Sequence, residues 1–109
     1  MKPRQFEIWK STPPGFETPH YFVIISSQER CDNERLIALN GLACFTLRGD
    51  PAKVDVRLNG ADGFERPTVC QCDYLFALQR SALKEKLGTV TFERQLQIKA
   101  RLREIFRLM

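Results

Sequence analysis

The sequence predicts a mainly β domain of the α+β class, a small antiparallel barrel with a C-terminal helix on one side. Three observations predict it. Short apolar or alternating segments separated by turn residues fill positions 6–90, one segment of helical period follows, and 109 residues are the length of one domain, 1–109. Strands that precede a lone helix pair most readily with antiparallel neighbours, and the helix then covers one face.

The first two strands are predicted on either side of a long loop. Phe6–Trp9 alternates weakly, and Tyr21–Ser26 is an apolar run typical of a buried strand. The connection between them contains three prolines, at positions 13, 14 and 19, which excludes a tight hairpin. Long ordered loops in small domains often carry binding residues, so this loop is the first candidate position for a site.

The middle of the chain predicts a hairpin and a half-exposed strand. Asn40-Gly41 is a two-residue turn signal, and it lies between the apolar segments Arg35–Leu39 and Leu42–Leu47. Lys53–Leu58 alternates between apolar and charged residues, as an antiparallel strand with one solvated face does. Turns are then predicted at Asn59-Gly60 and Asp62-Gly63.

A longer strand is predicted over Thr68–Leu78. Its period of two residues places Cys70 and Cys72 on one face, with Gln71 and Asp73 on the other. A helical turn over Ser81–Lys86 and a short strand over Leu87–Val90 follow. The prediction before residue 91 is therefore six or seven short strands.

The last segment changes to the period of an α-helix. Its apolar residues fall on one stripe, formed by Ile98, Leu102, Ile105, Phe106 and Met109. Thr91 is the predicted N-cap, Glu93 lies in the first turn, and Arg103 and Arg107 lie near the end, where the helix dipole favours cations.

Positive charge is concentrated in the same segment. The net charge of the chain is +4. Residues 1–79 hold nine Lys and Arg against ten Asp and Glu, whereas residues 80–109 hold eight against three. Lys99, Arg101, Arg103 and Arg107 are predicted on the polar faces of the helix. This asymmetry fits attraction to phosphate or to an acidic partner, and it equally fits a solvated helix face.

The four cysteines, Cys31, Cys44, Cys70 and Cys72, are interpreted as packing residues. Zinc sites use Cys pairs two to four residues apart, usually two of them, and here one shorter pair exists. We therefore expect no metal and no cofactor. No apolar run approaches the ~20 residues of a membrane span, and Met1–Lys10 lacks the apolar region of a signal peptide, so we expect a cytoplasmic protein that does not bind membranes.

Several strings resemble one protein family along nearly the whole chain. They are Phe6–Trp9, His20–Ser26, Cys44–Thr46, Val69–Asp73, Gly88–Val90 and Leu96–Leu102. Together, and in this order, they resemble the MazF/PemK (Kid) family of bacterial toxin endoribonucleases. Leu96–Leu102, with Gly88–Val90 before it, is the most similar part.

The resemblance implies the toxin component of a type II toxin–antitoxin system, with an SH3-like barrel, a homodimer and an acidic antitoxin as partner. It also implies cleavage of single-stranded RNA, in particular mRNA, without a metal. The ribose 2′-OH attacks the adjacent phosphate and leaves a 2′,3′-cyclic phosphate and a 5′-OH. This chemistry requires a base for the hydroxyl, an acid for the leaving oxygen and positive charge beside the phosphorane.

The candidate catalytic residues carried by the resemblance are His20, Thr46, Gln71 and Asp73. The sequence departs from the family at two arginine positions, which His20 and Gln71 occupy. A neutral amide does not replace a guanidinium that clamps phosphate, which predicts weak catalysis. In the opposite direction, imidazole is the usual general acid or base of proteins, so His20 is a candidate for the proton transfer itself.

Substrate contacts are expected from Glu17, Phe16, Tyr21 and Arg48. Aromatic side chains stack on unpaired bases in proteins that bind single-stranded RNA, which suits Phe16 and Tyr21. For Trp9, packing in the core is the favoured interpretation. Each candidate also has a purely structural interpretation, because His20 follows a proline in a loop and Thr46 lies in a predicted strand.

Two other functions remain open on the sequence. One is a non-catalytic relative, a dimeric binding protein that keeps the barrel without the arginines, either a degenerate toxin or a poison of DNA topoisomerase. The other is a nucleic-acid-binding barrel unrelated to toxins, in which the basic helix contacts phosphate.

Overall fold

The computed structural model describes residues 2–107, in which six strands form one antiparallel sheet with the order β4-β5-β3-β2-β1-β6. The elements are β1 (Glu7–Ser11), β2 (His20–Ile24), α1 (Gln28–Asp32), β3 (Ala38–Thr46), β4 (Asp55–Leu58), β5 (Thr68–Gln79), β6 (Glu85–Thr89) and α2 (Phe92–Ile105), with 3₁₀ turns at Gly60–Asp62 and Arg80–Ala82. The sheet curls into a half-barrel, and α2 packs beside β4 and β5. The predicted fold class is confirmed.

The sheet carries an apolar cluster on each face. Neighbouring residues of one strand belong to different clusters, as the alternation of a strand requires: Ile8 and Val23 lie in the inner cluster with α2, whereas Trp9 and Phe22 lie in the outer one. Trp9 is buried, which confirms its interpretation as a core residue. Burying both faces leaves little freedom for the register of these strands.

The hairpin predicted at Asn40-Gly41 is wrong, because β3 runs straight through these residues. Gly41 pairs with Ile24 of β2 and with Phe76 of β5. A Cβ atom at Gly41 would lie 2.7 Å from Leu78 Cδ1 and 3.2 Å from Phe22 Cβ. The glycine is therefore used for close approach between neighbouring side chains and not for a turn.

A β-bulge in β5 changes which face its side chains reach. Cys44 pairs with Cys70, but Leu42 pairs with Leu75, so β5 contains three more residues than β3 over the same stretch. Because three is odd, the alternation of β5 is reversed beyond the bulge. Cys70 and Cys72 lie in the inner cluster, as predicted, whereas Leu78, at an even position like them, lies in the outer one.

The C-terminal helix begins at Phe92 after the predicted N-cap, Thr91. Of the predicted stripe, Ile98 is buried, Leu102 and Ile105 pack against the inner cluster, Phe106 is 46% exposed, and Met109 lies outside the described residues. Arg101 departs from the prediction because it is half-buried, whereas Lys99, Arg103 and Arg107 are exposed. Neither helix of the described residues is long and apolar enough to cross a membrane.

Two segments differ from the sequence prediction. The short helix α1 was not predicted, and in place of the helical turn predicted over Ser81–Lys86 there is a 3₁₀ turn at Arg80–Ala82, with β6 beginning at Glu85. Arg80 connects these regions, since its guanidinium donates hydrogen bonds to four carbonyl oxygens at the end of α1 and in the loop that follows, those of Arg30, Cys31, Asn33 and Leu36. Such long-range contacts leave no periodic signal in the sequence.

All four cysteines are buried free thiols, which agrees with their interpretation as packing residues. Burial raises the pKa of the Cys31 thiol. The hydrogen bond with Cys44, followed by burial, raises the pKa of Cys70, and contact with Cys70 followed by burial does the same to Cys72. The thiols of Cys31, Cys70 and Cys72 therefore stay protonated near neutral pH and act as small apolar residues.

Glu7 is a buried carboxylate that joins three parts of the chain. Its Oε1 accepts hydrogen bonds from the Arg4 N–H at 2.7 Å and from Trp9 Nε1 at 3.1 Å, and its Oε2 lies 2.8 Å from Lys86 Nζ. Burial alone would raise the pKa of Glu7, but these hydrogen bonds and the ammonium charge outweigh burial and lower it. The ionised carboxylate therefore stabilises the folded state.

We expect Glu7→Gln to lower the free energy of unfolding at pH 7 by about 1–3 kcal/mol, because the neutral amide loses charge-assisted hydrogen bonds in a buried position. A group whose pKa is lowered by folding stabilises the protein above its ordinary pKa, here 4.5. That stabilisation disappears as the pH falls through the lowered value. The parent should therefore lose more stability on acidification than the variant.

Urea unfolding at several pH values measures both effects. The matched control is Glu34→Gln, since Glu34 is exposed and pairs with Lys2 only at 3.9 Å. Equal pH dependence in the parent and Glu7→Gln would show that Glu7 contributes no charge-dependent stability.

Candidate functional site

A hollow of about 800 Å³ opens where β2 begins and β3 ends. Residues from both strands and from the loop before β5 line it: Pro19, His20, Tyr21, Cys44, Phe45, Thr46, Arg48, Gly63, Phe64, Glu65, Arg66, Thr68 and Leu87. The hollow is lined by polar and apolar side chains together, a mixture that is typical of binding sites.

The strand register brings the polar residues of the hollow together. Tyr21 pairs with Cys44 across β2 and β3, and Thr46 pairs with Thr68 across β3 and β5. The start of β2, the end of β3 and the start of β5 therefore meet at one end of the sheet. His20 and Thr46 reach the same hollow from strands that are adjacent in space but separated by α1 in the chain.

The His20 ring is held by one hydrogen bond and two aromatic contacts. Its Nδ1 lies 3.0 Å from the Thr18 carbonyl oxygen. A carbonyl oxygen only accepts, so Nδ1 carries the hydrogen and Nε2 of the neutral ring keeps its lone pair. The rings of Phe16 and Phe45 pack against the imidazole with centroid distances of 4.8 and 5.3 Å. This contact set orients a ring whose Nε2 can accept a proton.

Two arginines supply positive charge to the hollow. Arg48 lies beyond the end of β3, and Arg66 lies in the loop before β5, next to Glu65. Arg48 was predicted as a substrate-binding residue, whereas Glu65 and Arg66 were not singled out. The available signal was the pair of adjacent charged residues between the Asp62-Gly63 turn and the predicted strand, because loops between strands often carry binding residues.

Asp62 fixes the loop that carries Arg66. This buried carboxylate accepts a hydrogen bond from the Asn59 N–H through Oδ2 and from the Thr91 N–H through Oδ1, both at 2.9 Å. Gly63 follows with a φ of 107°, a conformation that favours glycine. One carboxylate thus ties the rim of the hollow to the first residues of α2.

Aromatic contacts hold the floor of the hollow against this loop. The rings of Tyr21 and Phe64 meet edge to face, with a centroid distance of 5.7 Å and an interplanar angle of 89°. The Thr68 hydroxyl donates to the Arg66 carbonyl oxygen at 2.9 Å. The hydroxyl of Thr46, which is exposed, has no such partner among residues 2–107.

The other predicted site residues lie elsewhere in the described chain. Gln71 is half-buried and pairs with Asp55 of β4, and Asp73 is exposed in the bulge of β5. Glu17 is exposed in the loop before β2, and Phe16 contacts the His20 ring from outside the hollow. The structure therefore brings together His20, Tyr21, Thr46 and Arg48 and separates them from Gln71, Asp73 and Glu17.

The side chains of the hollow suit an anion better than a metal ion. Among residues 2–107, no three His, Cys, Asp or Glu side chains are grouped as metal ligands. Arginine, histidine and threonine are instead the groups that hold phosphate oxygens.

Comparison with known proteins shows the fold. No protein-family model and no curated protein matches the chain. A solved structure of an endoribonuclease from a Mycobacterial species aligns with 99% of this chain and 94% of its own, with a TM-score of 0.81 and 18% sequence identity. A chain of the MazE–MazF complex from Deinococcus radiodurans aligns over 100% and 99%, with a TM-score of 0.79 and 14% identity.

A third solved structure is an endoribonuclease in complex with its cognate antitoxin, also from a Mycobacterial species. It covers 98% of this chain and 97% of its own, with a TM-score of 0.82 and 20% identity. The chain has the MazF fold. At sequence identities of 20% and below, the likeness concerns the path of the backbone. The chemistry of this MazF-like chain depends on its own side chains.

We expect Asp62→Ala to lower the free energy of unfolding by about 2 kcal/mol, because two backbone N–H groups lose a charged acceptor. The same change should speed hydrogen exchange at the Asn59 and Thr91 amides. Urea unfolding and amide exchange measure these effects. Asp50→Ala, at an exposed position beyond β3, is the control. Unchanged protection of both amides would contradict the anchoring role.

Proposed function

We propose that this protein is a metal-independent endoribonuclease that cleaves single-stranded RNA, and that it acts in the cytoplasm as the toxin of a type II toxin–antitoxin pair. One observation carries the proposal: an imidazole with a free Nε2, an exposed threonine hydroxyl and two guanidinium groups line one hollow on a MazF fold. Those groups match two of the three requirements of 2′-OH attack, a base and positive charge beside the phosphate, and water is the proposed source of the proton for the leaving oxygen.

His20 is the proposed general base. Nε2 takes the proton of the ribose 2′-hydroxyl, and the oxygen attacks the adjacent phosphorus. The bond from phosphorus to the 5′ oxygen then breaks, which leaves a 2′,3′-cyclic phosphate and a 5′ oxygen that receives a proton from water. The hydrogen bond from Nδ1 to the Thr18 carbonyl supports this role because it keeps the lone pair on Nε2.

Arg48, Arg66 and Thr46 are the proposed phosphate contacts. Guanidinium groups bind phosphate through two parallel hydrogen bonds and stabilise the extra negative charge of the phosphorane. The Thr46 hydroxyl donates to a non-bridging oxygen. Two arginines in the hollow would compensate for the neutral residue at Gln71, which lies away from it.

The proposed partners follow from the same chemistry. A net charge of +4 favours an acidic partner, and a solved structure of similar fold contains an endoribonuclease with its cognate antitoxin. We propose an acidic antitoxin that occupies the hollow and a homodimer as the assembled form. Growth arrest with loss of mRNA on expression, relieved by an acidic protein encoded nearby, tests this assignment.

We expect His20→Ala to reduce the rate of RNA cleavage by roughly 10²–10⁴-fold, the usual contribution of a general base. The assay uses a single-stranded RNA in EDTA and measures fragments with 5′-OH and cyclic phosphate ends. A substrate with 2′-deoxyribose at the cleaved position should stay intact. Parent-like cleavage by His20→Ala would exclude this mechanism.

Complete absence of cleavage by the parent, together with tight binding of an acidic partner, would instead support a non-catalytic binding protein. The outcome distinguishes the two functions without any assumption about the cleavage sequence.

We expect Arg48→Ala and Arg66→Ala each to weaken RNA binding and to lower the slope of log K against log salt by about 0.7, the value for one phosphate contact with a single strand. The matched control is Arg103→Ala, an exposed arginine of α2 outside the hollow. If Arg103→Ala alone lowered the slope, the phosphate would bind at the basic helix and the hollow would not be the RNA site.

A further inference from the structure

Five aromatic side chains form a continuous patch on the outer face of β2, β3 and β5, beside the hollow. The aromatic patch consists of Phe16, His20, Phe45, Tyr74 and Phe76. Starting from the imidazole, the ring centroids lie 5.3 Å apart for His20 and Phe45, 6.1 Å for Phe45 and Tyr74, and 4.6 Å for Tyr74 and Phe76. The ring of Phe16 contacts both Phe76 and His20, so each of the five rings contacts two others.

The bulge in β5 creates this patch. Without the reversed alternation, Tyr74 and Phe76 would lie on the same face as Cys70 and Cys72, inside the barrel. Phe76 instead pairs with Gly41 on the outer face, and its ring lies 5.3 Å from the buried ring of Phe22. The patch therefore has a rigid support beneath it.

Phe16, Phe45 and Phe76 pack against the outer cluster, but this packing does not bury the patch as a whole. Tyr74 is 43% exposed, and the four other rings are half-buried. The planes of Phe45 and Tyr74 differ by only 19° and their centroids lie 6.1 Å apart, so the two rings are stacked. Partly exposed aromatic rings are groups on which unpaired nucleobases stack.

We propose that the aromatic patch is a base-stacking subsite for the nucleotides next to the cleaved phosphate of single-stranded RNA, an inference that rests on the proposed function. His20 belongs both to the hollow and to the patch. A strand whose phosphate lies beside Arg48 and Arg66 can thus place an adjoining base on Phe45 and Tyr74. Because every base has a π face, this subsite provides affinity with little sequence preference.

A second copy of the chain is the competing occupant, and the size of the patch argues against it. One exposed ring and four half-buried rings present on the order of 300 Å² of aromatic surface, compared with about 800 Å² per partner in a stable interface. Two guanidinium groups also line the adjoining hollow, and those charges attract a polyanion and repel an identical surface.

The test compares the parent with Tyr74→Ala, Tyr74→Phe and the control Phe92→Ala, which removes a 71% exposed ring from α2. Two probes of equal length are used: a 2′-O-methyl oligoadenylate, which lacks the attacking hydroxyl and stays intact, and an abasic strand with the same number of phosphates. Fluorescence anisotropy measures affinity, sedimentation measures the oligomeric state, and RNA cleavage is assayed separately.

We expect Tyr74→Ala to bind the oligoadenylate roughly ten-fold more weakly and the abasic strand as the parent does, because only the stacking of bases is lost. Tyr74→Phe and Phe92→Ala should bind both probes like the parent. An equal loss for both probes, no loss for either, or a change of oligomeric state that accompanies the loss would overturn the subsite.

The cleavage assay separates this proposal from the proposed function. Tyr74-dependent binding of bases without cleavage by the parent would support the subsite and contradict the nuclease. Cleavage by the parent with unchanged affinity in Tyr74→Ala would support the nuclease and contradict the subsite.

Discussion

The register shift between β3 and β5 is the constraint on which the arrangement of side chains depends. β5 lies between β3 and β4, and it contributes to the inner cluster through Cys70 and Cys72 and to the outer one through Leu78. A strand with regular alternation over its whole length would keep these residues on one face. The extra residues of the bulge place even-numbered residues of β5 in the inner cluster before the bulge and in the outer cluster after it.

Three charged side chains connect segments that are far apart in the chain. Glu7 joins the start of β1 to β6, Asp62 joins the loop at the hollow to α2, and Arg80 joins the end of β5 to the segment after α1. Each is a charged group with several partners, so its removal leaves backbone groups unpaired. Asp62 is the anchor next to the hollow, and it holds the loop before β5 in a defined geometry there.

The chemistry of the hollow differs from a site built on arginine alone. A guanidinium stays protonated and cannot act as a base near neutral pH. A neutral imidazole that donates a hydrogen bond to a carbonyl oxygen through one nitrogen can accept a proton on the other. Here His20 offers that nitrogen, and Arg48 and Arg66 offer the charge. In the proposed mechanism, proton transfer and charge stabilisation are divided between different side chains.

Local periodicity and turn composition determined most of the elements from the sequence alone. The alternation in β4, the long strand β5 and the stripe of α2 were all predicted, because residues within one element follow a fixed period. The turn predicted from composition at Asn40-Gly41 is wrong. The glycine is required there because its backbone lies close to the side chains of Leu78 and Phe22.

Only the tertiary structure decided which residues share a site. His20, Tyr21, Thr46 and Arg48 were proposed from the sequence, and the pairing of β2 with β3 brings them to one hollow. Gln71 and Asp73 lie outside it, and the loop before β5 adds Arg66. Strand register and loop anchoring arise from contacts between residues far apart in the chain, and such contacts leave no period by which a sequence could reveal them.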